Sequence, residues 1–337
     1  MKKQVKSTNI FANQKTGGRI ALIINPIIAQ GIIAVCVIFI SACSINQLAM
    51  KAVADALTGG GSSDVFTGDS DPQLIGDALP FAIKIYEALL SENPSHQGLM
   101  LTTGSLFIMY ANAFVQGPAE MLATSEWKER EERMIRAKNL YVRGVDILYN
   151  ALEAKYRGFK QAVSDLETLQ VYLDRFKKDD VPLLYWAVAG GLASYSIDIF
   201  DFELNSRLPE WVAMIQRAYE LDPDFEVATL DEFLILLYAS LPEIMGGDME
   251  RAKFHFERAQ EKTGGKSVSA YVSYAQSICI PAQDYDTYKD YLEKALEIDP
   301  DENIATRLVT IITQQKARWL LDNAWKSFSF LPFPDDY

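Results

Sequence analysis

The chain has 337 residues, of which 49% are hydrophobic and 23% are charged. Its 45 acidic and 32 basic residues give a net charge of −13 at pH 7. An acidic protein repels the phosphates of nucleic acids, so this composition argues against a nucleic-acid partner.

The first 42 residues have the order of an export signal. Residues 1–19 contain five basic side chains and no acidic one, and the apolar run Ile20–Ile40 follows. A basic region, an apolar region and small residues before a cleavage site are typical of a signal peptide. The closing string Ile40-Ser-Ala-Cys43 resembles the lipobox of bacterial lipoproteins, in which the cysteine is acylated and becomes the mature N-terminus.

An uncleaved transmembrane anchor is the alternative, because about 20 apolar residues can span a bilayer. The small pair directly before Cys43 favours the lipobox, and both alternatives place the remaining chain outside the cytoplasm. We therefore predict a periplasmic protein that is anchored to a membrane by lipid, including palmitate, on Cys43. Serine rather than aspartate at position 44 resembles outer-membrane sorting, which favours the inner leaflet of that membrane.

Removal of the signal leaves a chain with a net charge of −18, because the signal carries five of the positive charges. Cys279 is then the only cysteine besides Cys43, so no internal disulfide can form. Residues 43–70 include Gly59-Gly-Gly-Ser-Ser63 and are predicted to be the acylated N-terminus and a flexible tether. Asp71-Pro72 then provides an N-cap and a first helical residue, so residues 71–337 are predicted to form the folded domain.

The domain has a recurring helical pattern and no convincing alternating strand. The pattern occupies positions i, i+4 and i+7. Position i holds a bulky or small residue, and position i+7 holds a small one. All three positions share one helix face. The copies are Phe81-Ile85-Ala88, Ala137-Tyr141-Gly144, Trp211-Ile215-Ala218, Ala252-Phe256-Ala259 and Tyr288-Leu292-Ala295. Two copies end alike, at Asp222-Pro223 and Asp299-Pro300, 77 residues apart.

These spacings are similar to the ~34-residue period of tetratricopeptide repeats. We predict an all-α fold, a helical-repeat (TPR-like) α-solenoid or bundle of about 12 helices. A generic helical bundle is the alternative. The long stretch from Pro118 to Phe176 interrupts the period and is expected to contain long helices that pack across the stack.

Two strings carry a resemblance to a known family. Leu241-Pro-Glu-Ile-Met-Gly-Gly-Asp248 and Arg133-Met-Ile-Arg-Ala-Lys-Asn-Leu-Tyr-Val-Arg-Gly144 resemble the T-component lipoproteins of tripartite ATP-independent periplasmic (TRAP) transporters. The resemblance implies a periplasmic lipoprotein with divergent tetratricopeptide-like repeats. It further implies a homotrimer with a central channel that binds the solute-binding P-subunit, whose ligand is small and apolar or a carboxylate.

The sequence has few candidates for catalytic or metal-binding side chains. His96 and His255 are far apart, without a cysteine or carboxylate cluster at ligand spacing, and His255 is expected at the surface or in a groove. Cys279 is expected in the core. The string Gly264-Gly-Lys-Ser267 lacks the earlier glycine and the strand of a phosphate-binding loop, so it is expected to end one helix and cap the next. We predict that the protein is not an enzyme and has no cofactor and no metal site.

The remaining candidates are aromatic residues and one loop. Core packing or an apolar ligand channel could account for the first group, which is Tyr185, Trp186, Tyr195, Phe200 and Phe202.

The C-terminal group is too apolar for a solvated end and should pack on its own helices or on a neighbouring protomer. It contains Trp319, Trp325, Phe328, Phe330 and Phe333. In the loop of Gly246, Gly247 and Asp248, the glycines allow positive φ and the aspartate caps a helix, so a structural role is favoured over ligand contact.

The resemblance, together with these observations, implies an accessory subunit of a TRAP-type transporter, a homo-oligomeric scaffold that docks the P-subunit and helps to pass its ligand. A repeat lipoprotein that scaffolds outer-membrane or cell-wall assembly is the alternative.

Overall fold

A computed structural model describes residues 63–332, and this part of the chain consists of helices joined by turns, without a strand. The all-α prediction is confirmed. The helices are α1 Ser63–Thr67, α2 Pro72–Glu92, α3 Gln97–Tyr110, α4 Trp127–Lys155, α5 Phe159–Ala162, α6 Leu166–Leu173, α7 Val181–Ile197, α8 Phe202–Ser206, α9 Leu208–Leu221, α10 Thr229–Ser240, α11 Met249–Thr263, α12 Val268–Tyr274, α13 Tyr285–Glu297 and α14 Arg307–Asp322. Two of them, α3 and α12, continue through π-helical turns to Glu120 and Ala282.

Helix α2 begins where the sequence predicts. The Asp71 carboxylate accepts hydrogen bonds from the backbone N–H groups of Gln73 and Leu74 at 3.0 and 3.1 Å, and Pro72 occupies the first turn. These bonds satisfy donors that the helix itself cannot pair. The short helix α1 lies within residues 43–70, which the sequence assigns to the tether, so helical structure starts earlier than residue 71.

The repeated face is buried in four of its five copies. In each, all three signature residues lie in the core, and most are fully inaccessible. Helices α4, α9, α11 and α13 therefore turn this face toward their neighbours, as the i, i+4, i+7 spacing predicts.

The first copy is an exception, because the prediction that its signature face is buried is wrong. On α2, Phe81 is 72% exposed and Ile85 is 42% exposed. The face that packs inward holds Ile75, Leu79, Ile83, Tyr86 and Leu89. Helix α2 has apolar residues on both sides, so periodicity alone cannot tell which side the core covers.

Glycines allow four central helices to approach one another closely. A Cβ on Gly144 of α4 would lie 2.8 Å from the Gly104 carbonyl oxygen of α3. A Cβ on Gly191 of α7 would lie 2.4 Å from the Trp211 ring. Side chains at these positions would push α3, α4, α7 and α9 apart.

The last helix returns to the first ones. Leu308 of α14 is buried in the same apolar cluster as Ile75 and Leu79 of α2. Lys316 of α14 forms an ion pair with Glu120 at 2.6 Å, and Arg307 donates to the Gly68 carbonyl oxygen at 3.1 Å. The described chain therefore links its two ends by apolar and polar contacts.

Within residues 63–332, one helix, Gln97–Glu120, is long and apolar enough to cross a membrane. Half of its most apolar window is buried in the protein, where α3 packs against α2 and α4. Core packing therefore accounts for its composition.

The signature face is buried on α11 and exposed on α2, and this difference gives a first prediction. Replacement of buried Ala259 by leucine should overpack the α11 interface and lower the free energy of unfolding by about 1–3 kcal/mol. The matched change Ala88→Leu, at the same signature position on the exposed face of α2, should alter it by less than about 0.5 kcal/mol. Urea denaturation of both variants measures the difference. If both variants lose the same free energy of unfolding, α2 buries its signature face, contrary to the structure.

Candidate ligand and docking surfaces

An aromatic cluster forms around Tyr185, in the first half of α7. The Tyr185 ring centroid lies 5.1 Å from that of Trp186, 5.7 Å from that of Phe225 and 5.8 Å from that of Phe233. Phe225 follows α9 in the chain and Phe233 belongs to α10, so three segments converge here. Two sequence candidates are thus brought together with two phenylalanines that sequence reasoning did not select. We call these four residues the Tyr185 cluster.

Two glutamates adjoin the Tyr185 cluster, and each is the sequence neighbour of one of its phenylalanines. Burial raises the pKa of the Glu226 carboxyl. Burial also raises the pKa of Glu232, where repulsion from Asp231 adds to the effect and a hydrogen bond from Ser267 at 2.5 Å opposes it. The pKa of the Tyr185 hydroxyl is raised by burial and then by the negative charges of both glutamates. The two carboxyls therefore act on the same hydroxyl.

These groups are crowded by protein and yet open to water. The Glu226 side chain is exposed, and those of Tyr185 and Glu232 are partly exposed, although burial dominates the pKa of each. Glu226 also has a φ of +43° and Val227 a φ of +68°, in the left-handed region that such residues rarely adopt.

The other three aromatic candidates lie elsewhere. Tyr195 is partly buried and lies ten residues beyond Tyr185 on α7, which is about 15 Å along the helix axis. Phe200 and Phe202 are 90% and 87% exposed, after the end of α7. They do not join the Tyr185 cluster.

The turn that carries the two phenylalanines is held in place. Lys138 of α4 forms ion pairs with Asp198 at 2.8 Å and with Asp201 at 2.7 Å, one on each side of Phe200. Hydrogen bonds to the two aspartates raise the pKa of Lys138. Asp201 also caps α8 by accepting from the Glu203 and Leu204 N–H groups. The two exposed phenylalanines therefore lie in an ordered turn.

Further exposed apolar residues lie near Lys138 on α4 and next to Phe200 in the turn. Ile135 and Val142 lie three residues before and four after Lys138, on the same face of α4, and both are exposed. Ile199, next to Phe200, is exposed as well. We call this set the Phe200 patch, and its members are Ile135, Val142, Ile199, Phe200 and Phe202.

The Gly246-Gly247-Asp248 loop connects α10 and α11. Gly246 has a φ of +97°, and a Cβ on Gly247 would lie 1.8 Å from the Leu241 carbonyl oxygen. The Asp248 carboxylate accepts from the Glu250 and Arg251 N–H groups at 3.1 and 3.0 Å. These features favour the structural role that the sequence suggested.

The C-terminal aromatic residues pack largely on their own chain. Phe328 is fully buried, and its ring lies 4.9 Å from that of Tyr288. It cannot contact a second protomer, so its place among the interface candidates needs correction. Trp319 and Trp325 are partly buried, Phe330 is 60% exposed, and Phe333 lies outside the described residues.

His255 also differs from expectation, because it is buried instead of lying at the surface. Its Nδ1 is 2.7 Å from Asp231, whose other oxygen pairs with Lys262 at 2.7 Å. Burial alone would raise the pKa of Asp231, but the hydrogen bonds of His255 and Lys262 lower it. The network joins α10 to α11 and is structural.

Other chemistry-bearing groups have structural surroundings. Cys279 is buried as predicted, and burial raises its pKa to about 12, so the thiol stays protonated. Gly264 ends α11 with a φ of +62° and Ser267 caps α12, as expected for this string. In the described part of the chain, no three histidine, cysteine or acidic side chains are placed to hold a metal ion.

A model of the TRAP transporter T-component family matches residues 68–328. The chain belongs to this family. A relative in Treponema pallidum (strain Nichols), described as an uncharacterized protein, is 36% identical over 258 residues. The alignment covers 76% of this chain and 80% of that protein.

Membership of the T-component family confirms the resemblance drawn from the sequence. The protein is an accessory subunit of a TRAP transporter and is not an enzyme. As a component of such a transporter it is periplasmic or membrane-associated, and it associates with the other transporter subunits.

The Asp231 network gives a second prediction. Asp231→Asn removes the charge that compensates Lys262 and should lower the free energy of unfolding by about 3 kcal/mol at neutral pH. Because the pKa of Asp231 is lowered by folding, its contribution is present above its ordinary pKa of about 3.9 and is lost as the pH falls below it. The difference between wild type and variant should therefore shrink in acid.

The exposed partner of the same lysine provides the control. Asp224→Asn removes a carboxylate that pairs with Lys262 at 2.9 Å but is largely exposed, so it should cost less than about 1 kcal/mol. Urea denaturation between pH 7 and pH 3 compares the two variants. A cost of Asp231→Asn no larger than that of Asp224→Asn would contradict the assignment.

Proposed function

We propose that this T-component is a lipid-anchored, homo-oligomeric scaffold that docks the solute-binding P-subunit and helps to pass a small ligand. Acylated Cys43 holds it at a membrane, the inner leaflet of the outer membrane being favoured. Family membership favours this role over a scaffold for outer-membrane or cell-wall assembly. The observation that carries the docking role is the Phe200 patch.

Two nearly fully exposed phenylalanines in one ordered turn are unusual for a surface that faces only water. Large aromatic side chains supply much of the binding energy at protein interfaces, mainly when they are pre-positioned near the centre of a contact. The ion pairs of Lys138 provide that pre-positioning. The patch therefore has the composition and rigidity of a docking surface.

The partner at this patch is a protein rather than a lipid surface. The net negative charge of the protein repels anionic lipid headgroups. Three acidic residues, Asp198, Asp201 and Glu203, lie in or next to the turn itself. The lipid on Cys43 then supplies the membrane attachment, while the patch remains available to the P-subunit.

Self-association has separate candidate surfaces. The outer face of α2 exposes Leu74, Phe81 and Ile85 at spacings of seven and four residues, as along a helix-packing seam. Phe330 is a further exposed aromatic residue near the C-terminus. These surfaces support the homotrimer that the family resemblance suggests, and they leave the Phe200 patch free.

The Tyr185 cluster supports ligand passage. Its four aromatic residues are partly exposed, so an apolar group could contact their rings without entering the core. The cluster and the Phe200 patch lie at opposite ends of α7, so one helix joins the two surfaces.

A binding experiment tests the docking role. Replacement of Phe200 and Phe202 by serine should weaken capture of the P-subunit of the same transporter by at least tenfold, because aromatic anchors are each worth about 2 kcal/mol or more. The stability of the protein should hardly change, because both side chains are already in water. Surface plasmon resonance with the immobilised full chain measures the affinity.

The matched control is Phe81→Ser on α2, which removes another strongly exposed phenylalanine. Because Phe81 lies on the candidate self-association face, this variant can change the oligomeric state, but it should leave the affinity of each protomer for the P-subunit unchanged. Docking at the Phe200 patch is ruled out if the Phe81 variant loses binding while the double variant retains it. Failure of wild-type protein to bind the P-subunit would reject the docking role itself.

A further inference from the structure

Carboxylates border the two phenylalanines of the Phe200 patch. Residues 198–203 read Asp-Ile-Phe-Asp-Phe-Glu, so three of these six residues are acidic and none is basic. In the whole chain, 45 of 337 residues are acidic. The turn therefore concentrates acidic side chains well above the average of the chain, directly beside two strongly exposed aromatic rings.

The cation that pairs with this turn is shared by two carboxylates. Lys138 contacts Asp198 at 2.8 Å and Asp201 at 2.7 Å, so one positive charge faces two negative ones. The Lys138 side chain is 20% exposed, whereas that of Asp198 is 44% exposed. Asp198 contacts the lysine through Oδ2, and its Oδ1 accepts no hydrogen bond within residues 63–332. A net negative charge and an available acceptor atom therefore remain beside Phe200.

Glu203 adds a further negative charge directly after the second phenylalanine. Its side chain is exposed, and it forms no ion pair with another residue of the described chain. The arginines on nearby turns of α4 have other contacts. Arg133 pairs with Glu129 at 2.5 Å, and Arg136 lies 5.6 Å from the centroid of the Tyr110 ring. The turn and its lysine together carry three carboxylates and one ammonium group.

Docking of the phenylalanines removes water from these carboxylates. Asp198 lies two residues before Phe200 and Asp201 lies one residue after it, so a surface that covers the ring also covers them. A carboxylate that loses water without gaining a cation is strongly unfavourable, and like charges across an interface repel. An apolar or acidic partner surface would therefore bind this turn poorly, whereas a surface that supplies cations would bind it well.

We propose that the P-subunit meets the Phe200 patch with an apolar pocket bordered by lysine or arginine side chains. The phenylalanines fill the pocket, and the cations pair with Asp198 and Glu203. This rests on the proposed docking role and specifies the chemistry of the partner surface. Because opposite charges attract each other before contact, the charged border mainly accelerates association, whereas the buried phenylalanines mainly slow dissociation.

Association kinetics at two salt concentrations test the assignment. Surface plasmon resonance uses the immobilised full chain in a nonionic detergent and the P-subunit of the same transporter. Salt shortens the reach of a charge from about 10 Å at 0.1 M to about 3 Å at 1 M. Over this range the association rate constant should fall by at least about tenfold, and the dissociation rate constant should change by less than about threefold.

A charge reversal beside the aromatic rings separates local charge from overall charge. Glu203→Lys should lower the association rate constant at the lower salt concentration by at least about threefold, and Glu203→Gln should lower it by less. Glu167→Lys is the matched control, because it changes the net charge equally and also lies at an exposed glutamate in the first turn of its helix. It should leave the association rate constant nearly unchanged. Thermal unfolding of each variant establishes that the fold is retained.

An association rate constant that does not fall with salt would overturn the proposal, as would equal effects of Glu203→Lys and Glu167→Lys. Faster association of Glu203→Lys would indicate an acidic partner surface and overturn it as well. The variant with serine in place of Phe200 and Phe202 separates this proposal from the docking role. If that variant loses binding while association is independent of salt, the docking role stands and the basic border is wrong. If the wild-type protein does not bind the P-subunit, both are rejected.

Discussion

Close approach between helices at small residues is the constraint on which the rest of this structure depends. Gly104 and Gly144 bring the backbones of α3 and α4 together. Gly191 leaves space on α7 into which the Trp211 ring packs. The alanines and the glycine at the end of the four buried signatures serve the same purpose. A Cβ or a longer side chain at these positions would displace whole helices, because a packed interior has no space to absorb it.

This packing connects the two candidate surfaces. Helix α7 has 17 residues and is therefore about 25 Å long. Gly190 and Gly191 fix its middle against α3, α4 and α9. Tyr185 lies in its first half, and Phe200 of the Phe200 patch follows three positions after its last residue. A rigid helix between the Tyr185 cluster and the turn of Phe200 would hold both at a constant separation, which suits the scaffold proposed above.

The sequence predicts local features of this arrangement well and long-range ones poorly. Helix caps and four signature faces follow from residue type and from the 3.6-residue period. The same period misplaces Phe81, because α2 is apolar on two sides. The burial of His255 depends on Asp231, 24 residues away, and the Tyr185 cluster depends on phenylalanines that follow Tyr185 by 40 and 48 positions in the chain. Such contacts are set by the packing of helices and leave no spacing signal.

The exposure of Phe200 and Phe202 shows the same limit, since the sequence suggested either core packing or a ligand channel and tertiary structure places both side chains in water. The central claim is that the turn they occupy meets the P-subunit. Site-specific photo-crosslinking tests it most directly, with benzoylphenylalanine at position 200 in one protein and at position 81 in another. The account predicts a crosslink to the P-subunit from position 200 and none from position 81. Crosslinks to the P-subunit from position 81 alone would contradict it.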